Sequence, residues 1–455
     1  MGARGTGTVK VDDSDEILVI KGGNKLSGGR ISIAGSSNQV TKAIIAAMLT
    51  DEEVILKGVP DVDERRNIQQ LFADLGGRAA EKEANVLALC GKDIGMWEIP
   101  THHSKRNRIS VLCAGPLLHR FGKVKFHAAL GGDQIGARPV DFHIQGLEKM
   151  GARVEFEGGV YFLTVDTKGL HGAHIVLPFP SVMATENLLI AATLARGRTI
   201  IENAAIEPEV FELVKMLQKM GADITQNPNR TYIVEGVKKL RGCEARIMFD
   251  RNQVVSFAVA ALATRGEVLI EKVTHDPVYS FLNFVQRMGA SFRINSEGLY
   301  IKAPTKQMSG AHIEVDVSPG FMTDWQQPFM VLFTQASGIS IMHETVFEER
   351  LGYTEFLNQM GAQITVSQKC LGEVPCRFRH RNFVHSAIIQ GSTPLVGNNF
   401  TLPTDIRAGK CLVIAGLAAQ GETRLTNIKE LKRKYDNLVP KLRQMGAEIE
   451  IQTKK

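Results

Sequence analysis

Little in this chain calls for a covalent or metal staple. Cysteine occurs six times, at Cys90, Cys113, Cys243, Cys370, Cys376 and Cys411, with no C-x-x-C pair. Cys370 and Cys376 lie close together, but the scattered pattern predicts neither a disulfide nor a metal site, and it fits a reducing cytoplasmic compartment. Aromatic residues make up only 6% and do not alternate with basic runs, and the net charge is a mild +6. That excludes a nucleic-acid stripe and favours a small anionic ligand. No apolar run reaches the roughly 18 residues of a membrane span. The first fifteen residues, Met1 to Asp15, are polar and glycine-rich without an apolar signal core, and read as a disordered tail.

What the chain does have is repetition. One short phrase occurs six times: Asp74-Leu75-Gly76-Gly77, Lys149-Met150-Gly151-Ala152, Lys219-Met220-Gly221-Ala222, Arg287-Met288-Gly289-Ala290, Gln359-Met360-Gly361-Ala362 and Gln444-Met445-Gly446-Ala447. The spacing of roughly 70 residues is too long for a solenoid module, whose periods run at about 20–50 residues. It suits a small α/β unit. In the third copy, Thr185 to Ala195 has helical spacing and Thr199 to Asn203 reads as a strand. Pro208 to Lys219 follows as an amphipathic helix with Val210, Leu213, Val214 and Leu217 on one face. Gly221 then reads as the left-handed residue that ends a helix, and Ala222-Asp223-Ile224 opens another strand. The same order recurs at Arg251–Phe292, Trp325–Ile364 and Ile406–Ile449. The longest interval carries a surplus at Cys370–Ser392 with a basic stretch, Arg377 to Arg381, which reads as a solvated hairpin or else a specificity loop. Two sets of three units predict two similar domains with a seam near residue 248, and a ligand cleft between them.

Chemistry concentrates at Gly131-Gly132-Asp133-Gln134-Ile135-Gly136-Ala137-Arg138-Pro139-Val140-Asp141, a glycine loop carrying an acid and a guanidinium. Bare glycine spacing of this kind is also that of an ordinary capped turn. The ordered set GSSNQ, RxSVLxAGPL, GGDxIGARPVD, FPSVxATEN, ENAAxEPE, a Thr-Asp pair at Thr323-Asp324, ETVFEER and DIRAG resembles the bacterial UDP-N-acetylglucosamine enolpyruvyl transferases (1-carboxyvinyltransferases). Their sister family is 5-enolpyruvylshikimate-3-phosphate synthase. The likeness runs from about Ile17 to Ile451.

The resemblance implies a mixed α/β (α+β) fold, a two-domain inside-out α/β barrel of six units, three per domain. The first domain would comprise residues 16–36 plus 249–455, the second 37–248. It implies transfer of the enolpyruvyl group of phosphoenolpyruvate to a sugar hydroxyl with release of phosphate, for peptidoglycan precursor synthesis. No cofactor and no metal are implied, and neither nucleic acid nor membrane is expected as a partner. Such a reaction needs an acid for the enol carbon, a base for the hydroxyl, cations for phosphate and carboxylate, and exclusion of water. By resemblance Asp133 is the acid, in a position most often held by cysteine, and would need a raised pKa. Asp324 receives the hydroxyl proton. Arg108 and Arg138 face the phosphate, Arg407 and Arg433 the carboxylate, through paired guanidinium contacts. Asn38 touches both substrates. Ser181, Val182, Met183, Val346 and Phe347 form the acceptor pocket, and Asp250 lies at the hinge.

The chain departs from that pattern in the cleft. Ser37 stands where the family has a lysine that contacts phosphoenolpyruvate, a loss worth about 1.5–3 kcal/mol for one charge-assisted contact. Asp63 aligns with a second lysine, and Arg65 or Arg66 is a candidate to supply that charge. Met183 replaces a small residue. These changes leave two alternatives beside the main reading: an enolpyruvyl transferase acting on another nucleotide such as uridine monophosphate in nucleoside-antibiotic synthesis, or a catalytically silent nucleotide-binding paralogue.

Overall fold

The computed structural model describes residues 16–128, 131, 139–373, 375–432 and 434–453. All six phrases do the same job in it. Each closes a helix on the outside of its unit: Asp63–Asp74, Asp141–Lys149, Pro208–Lys219, Tyr279–Arg287, Thr354–Gln359 and Leu438–Gln444. The glycine that follows is left-handed every time, with φ of 104°, 97°, 102°, 105°, 100° and 96° at Gly76, Gly151, Gly221, Gly289, Gly361 and Gly446. A Cβ is strained there, so glycine is required. A strand leaves each turn, such as Asp223–Asn227 after Gly221.

Each unit also contributes an inner helix, and these are buried on most or all sides. Every residue of Arg251–Ala263 is buried, and all but the last residue of Ile406–Ala418. Small side chains (Ala258, Ala260, Ala261) let Arg251–Ala263 pack against both Gln326–Gln335 and Ile406–Ala418, which also touch each other. The sheets lie outside this helical centre, so the architecture is an inside-out α/β barrel. Such burial on all sides removes the amphipathic signal that marks the outer helices.

Among the described residues there are six sheets, five of four strands and one of three. Each four-stranded sheet is antiparallel but for one parallel edge strand, as where Glu244–Arg246 joins Val54–Lys57. The opening strand, Glu16–Gly22, lies between Gly421–Thr426 and Glu448–Thr453. Buried apolar residues form two clusters. One runs from Leu18 to Ile31 and Val254 to Ile449, the other from Val40 to Ile247. The chain crosses between them twice, side by side: Ser36 N donates to Met248 O at 2.7 Å and Asp250 N to Ala34 O at 2.9 Å.

Two expectations change. The helix placed at Thr185–Ala195 spans Val182–Ala192, because Ser181 caps it by accepting from the Ala184 amide. The Cys370–Ser392 surplus is not a solvated hairpin. Its end, Ser386–Gly391, is a central strand paired with Gly338–His343 and Gln363–Ser367, and Phe378 within the loop is fully buried. Among the described residues no helix is long and apolar enough to cross a membrane.

Candidate active site

Inner-helix starts converge where the two clusters face each other. Asp324 lies on a short 3-10 turn, Thr323–Trp325, that leads into Gln326–Gln335. Arg407 is the second residue of Ile406–Ala418, whose cap Asp405 accepts from the Arg407 amide at 2.9 Å. Asp324 Oδ2 accepts from Arg407 Nη2 at 3.0 Å and from Asn252 Nδ2 at 3.2 Å, and Oδ1 accepts from Arg350 Nη2 at 2.6 Å. Burial pushes the carboxyl up, but the guanidiniums of Arg407 and Arg350 and the ammonium of Lys434 outweigh it and hold Asp324 well below the usual carboxylate range. Arg407 also donates to the Tyr435 hydroxyl at 3.3 Å.

A relay runs from this pair to the expected acceptor wall. Arg350 donates to Thr323 Oγ1 at 2.6 Å, and Thr323 donates to Glu344 Oε2 at 2.7 Å. The other oxygen of Glu344 accepts from the amides of Val346 at 2.7 Å and Phe347 at 3.1 Å. The ETVFEER segment thus carries both its pocket residues and the two charged groups that set their backbone. Ser181, Val182 and Met183 lie on the other half, at the start of Val182–Ala192, and Val182 and Met183 pack against that half's core. Arg377 links the two walls. Its guanidinium lies 4.4 Å from the centre of the Phe179 ring and donates to Val346 O at 2.8 Å.

Asn38 and Ser37 begin the helix Ser37–Ala46. Ser37 is buried, and among the described residues its hydroxyl has no hydrogen-bond partner. Lys434 reaches across from the other half, its Nζ 3.2 Å from Asn38 Oδ1 and 3.2 Å from Glu64 Oε2. Arg65 and Arg66 do not fill the role offered to them. Arg65 is held by Glu81 at 2.6 Å and Asp61 at 3.1 Å, and Arg66 by Asp61 and Asp63. Their own carboxylates neutralise them, and the cations beside Asn38 among the described residues are Lys434, at its side chain, and Lys42, whose Nζ donates to Asn38 O at 2.7 Å.

Arg108 opens the 3-10 segment Arg108–Cys113, capped by Asn107, and its charge adds to burial in lowering the pKa of His143 to about 3. Nearby, Gly131 packs against backbone: a Cβ there would lie 2.2 Å from Lys105 O, so only glycine permits this approach. Asp133, Arg138 and Arg433 lie outside the described residues. Asp250 caps Arg251–Ala263 by accepting from the amides of Asn252 at 2.9 Å and Gln253 at 3.2 Å. Burial raises its pKa, against the pull of Arg407.

Several charged residues went unread in the sequence. Arg251 forms a buried two-pronged pair with Glu209, Nε to Oε1 at 3.0 Å and Nη2 to Oε2 at 2.9 Å, joining the two core clusters. Glu186 is fully buried, 3.6 Å from Lys42. Burial raises its pKa to about 7, with Lys42 opposing. A charge inside an apolar helical run was the available signal for Glu186. For Arg251 and Glu209, far apart in the chain, there was none.

Residues 20–442 match the family model of EPSP synthase (3-phosphoshikimate 1-carboxyvinyltransferase). The chain is 40% identical over 441 residues to the UDP-N-acetylglucosamine 1-carboxyvinyltransferase of Protochlamydia amoebophila, covering 96% of this chain and 94% of that one. It is 38% identical over 432 residues to the protein of that name from Gluconobacter oxydans, covering 95% and 98%. Among solved structures it is similar to the enolpyruvyl transferase NikO from Streptomyces tendae, with TM-score 0.83, 21% identity, and 97% and 99% coverage. It is also similar to EPSP synthase from Acinetobacter baumannii, with TM-score 0.72, 18% identity, and 96% and 100% coverage. Six units around buried helices, and relatives matched from end to end, make this chain a member of the EPSP synthase family, in its UDP-N-acetylglucosamine 1-carboxyvinyltransferase branch.

Proposed function

We propose that the protein transfers the enolpyruvyl group of phosphoenolpyruvate to a hydroxyl of UDP-N-acetylglucosamine, releasing phosphate. The observation that carries this reading is the 40% identity, over 96% of the chain, to a relative named for that reaction. The likeness to NikO, at 21% identity, extends to the fold alone and favours no other nucleotide.

The geometry suggests how resting charges are redeployed. Asp324 is a poor base while two guanidiniums hold it, because its proton affinity is too low. A donor carboxylate arriving at Arg407 competes for the same guanidinium. Loosening the Arg407–Asp324 contact raises the proton affinity of Asp324, which takes the proton of the acceptor hydroxyl as it comes within reach. Arg407 and Arg433 then hold the carboxylate, and Arg108 and Arg138 the phosphate. Lys434 supplies, from the opposite half, the charge that Ser37 lacks. Asp133 delivers a proton to the methylene carbon, making it a methyl, the hydroxyl oxygen adds to C2, and loss of phosphate from C2 with return of one methyl proton to the Asp133 carboxylate restores the C2–C3 double bond. Residues 16–36 plus 249–455 and residues 37–248 act as the two closing domains, with Asp250 at the crossing. A nucleotide-sugar acceptor suits a cytoplasmic enzyme.

The test incubates the protein with phosphoenolpyruvate and either UDP-N-acetylglucosamine or uridine monophosphate, and measures phosphate release. Release with the nucleotide sugar is expected. Release only with the mononucleotide, or none with either while both ligands still raise the melting temperature, overturns the reading.

A further inference from the structure

Four potential metal ligands meet beneath the 368–385 loop, none of them used by the Asp324 cluster. They are His343, at the end of Gly338–His343, with Cys370, Cys376 and His385 from the loop. One ligand atom from each lies within 4.8 Å of all the others. Cys370 Sγ is 3.3 Å from Cys376 Sγ and 3.4 Å from His385 Nε2. Zinc held tetrahedrally, with Zn–S near 2.3 Å and Zn–N near 2.0 Å, places such atoms about 3.5–3.8 Å apart.

Hydrogen bonds fix how both imidazoles present themselves. His385 Nδ1 faces Phe383 O at 2.7 Å; a carbonyl only accepts, so Nδ1 carries the proton and Nε2 a bare lone pair. Ser386 spends its hydroxyl proton on Lys369 O at 2.7 Å, so at 2.8 Å it accepts from His343 Nδ1. His343 Nε2 is therefore also a bare lone pair. It is fully buried, and among the described residues it has no hydrogen-bond partner. An unpaired buried acceptor beside two thiols is costly without an ion and well used with one. The Phe378 amide points at Cys376 Sγ from 3.4 Å, as suits a thiolate, and the Phe378 ring meets His385 edge to face at 5.8 Å.

We propose that His343, Cys370, Cys376 and His385 bind one divalent zinc ion that fastens the 368–385 loop to the sheet. The ion displaces one proton from each thiol and bonds two thiolates and two neutral imidazoles. The complex carries no net charge, which suits its partial burial. Two sulfurs and two imidazole nitrogens favour zinc over calcium or magnesium, which take oxygen ligands. All four protein positions are filled, so the site is structural. It reverses the expectation that this chain binds no metal, drawn from a sequence without C-x-x-C spacing. Its consequence lies at the cleft: Arg377, next to Cys376, is the residue that bridges Phe179 and Val346. The ion holds that bridge in place.

The test uses the full chain purified without chelator. Elemental analysis is expected to find about one zinc per chain. Exchange into cobalt is expected to give the visible d–d bands and sulfur-to-metal charge-transfer absorption of a tetrahedral thiolate site. Cys376→Ser is expected to lose both signals. Chelation should speed trypsin cleavage after Arg379 or Arg381 by on the order of tenfold, as the loop is released. Metal-free protein with a featureless cobalt spectrum overturns the proposal, as does a native Cys370–Cys376 disulfide detected by mass. The cobalt spectrum is read on the unsubstituted chain, so it decides even if Cys376→Ser fails to fold.

Discussion

Arg407 Nη2 sits 3.0 Å from Asp324 Oδ2, joining the start of one inner helix to the turn that begins another. A planar fork does this, donating at the same time to Tyr435. Lysine keeps the charge but can neither fork nor span both partners. Arg407→Lys should raise the KM for phosphoenolpyruvate by on the order of tenfold to a hundredfold, about 1.4–3 kcal/mol, and that for the acceptor far less. Steady-state kinetics with each substrate varied in turn checks it; an equal rise in both constants would place Arg407 outside the donor subsite.

Lys434 should matter more than its position in sequence suggests. Lys434→Ala is expected to weaken phosphoenolpyruvate binding by about 1.5–3 kcal/mol, the worth of one charge-assisted contact. Ser37→Lys alone should help little, because it adds a third ammonium group near Asn38, beside Lys434 and Lys42. In the Lys434→Ala background it should restore affinity. Strict additivity in this double-mutant cycle would mean that the two positions do not share a ligand.

Glu186 makes stability depend on pH. Its folded pKa, about 7, lies above the ordinary 4.5. The folded chain therefore holds the proton that the unfolded chain has lost, and stability falls as pH rises from about 4.5, levelling off above about 7, by about 3 kcal/mol in all. Glu186→Gln should flatten this decline. Thermal melts across that range, compared with the parent, decide it; parallel curves would show that Glu186 ionises at its ordinary value.

The Arg251–Glu209 pair should be worth most when only one member is removed. Arg251→Met leaves a buried carboxylate alone and is expected to cost about 3–5 kcal/mol, while adding Glu209→Leu should recover a large part. Urea denaturation of the single and double variants measures this. A double variant no better than the single would mean that Glu209 tolerates isolation.

Asp133, as the proton donor by resemblance, is a poor nucleophile toward epoxides. Fosfomycin-type compounds should leave activity intact after long incubation. Intact-protein mass spectrometry showing an adduct on Asp133 would contradict this.

The outer layer of the fold was legible because its signals are local. Pro208 and Gly221 mark both ends of Pro208–Lys219, and its four predicted apolar positions are buried. The inner helix Arg251–Ala263 was readable only from its place in the repeat, since burial on every side erases periodicity. The site divides similarly. Asp324 and Arg407 came from motifs, and the structure brings them together. Lys434 beside Asn38, Arg251 beside Glu209, and His343 beside Cys370 are neighbours only after folding, and no spacing along the chain announces them.

Strand Glu16–Gly22 has both its neighbours in Gly421–Thr426 and Glu448–Thr453. A ribosome makes that strand long before it makes its flanks. The apolar cluster between Val40 and Ile247 can condense meanwhile, whereas Leu18 and Ile20 wait in solvent for most of synthesis. Nascent chains stopped before residue 421 thus carry Glu16–Gly22 as an unpaired β-segment, a natural client for a holdase.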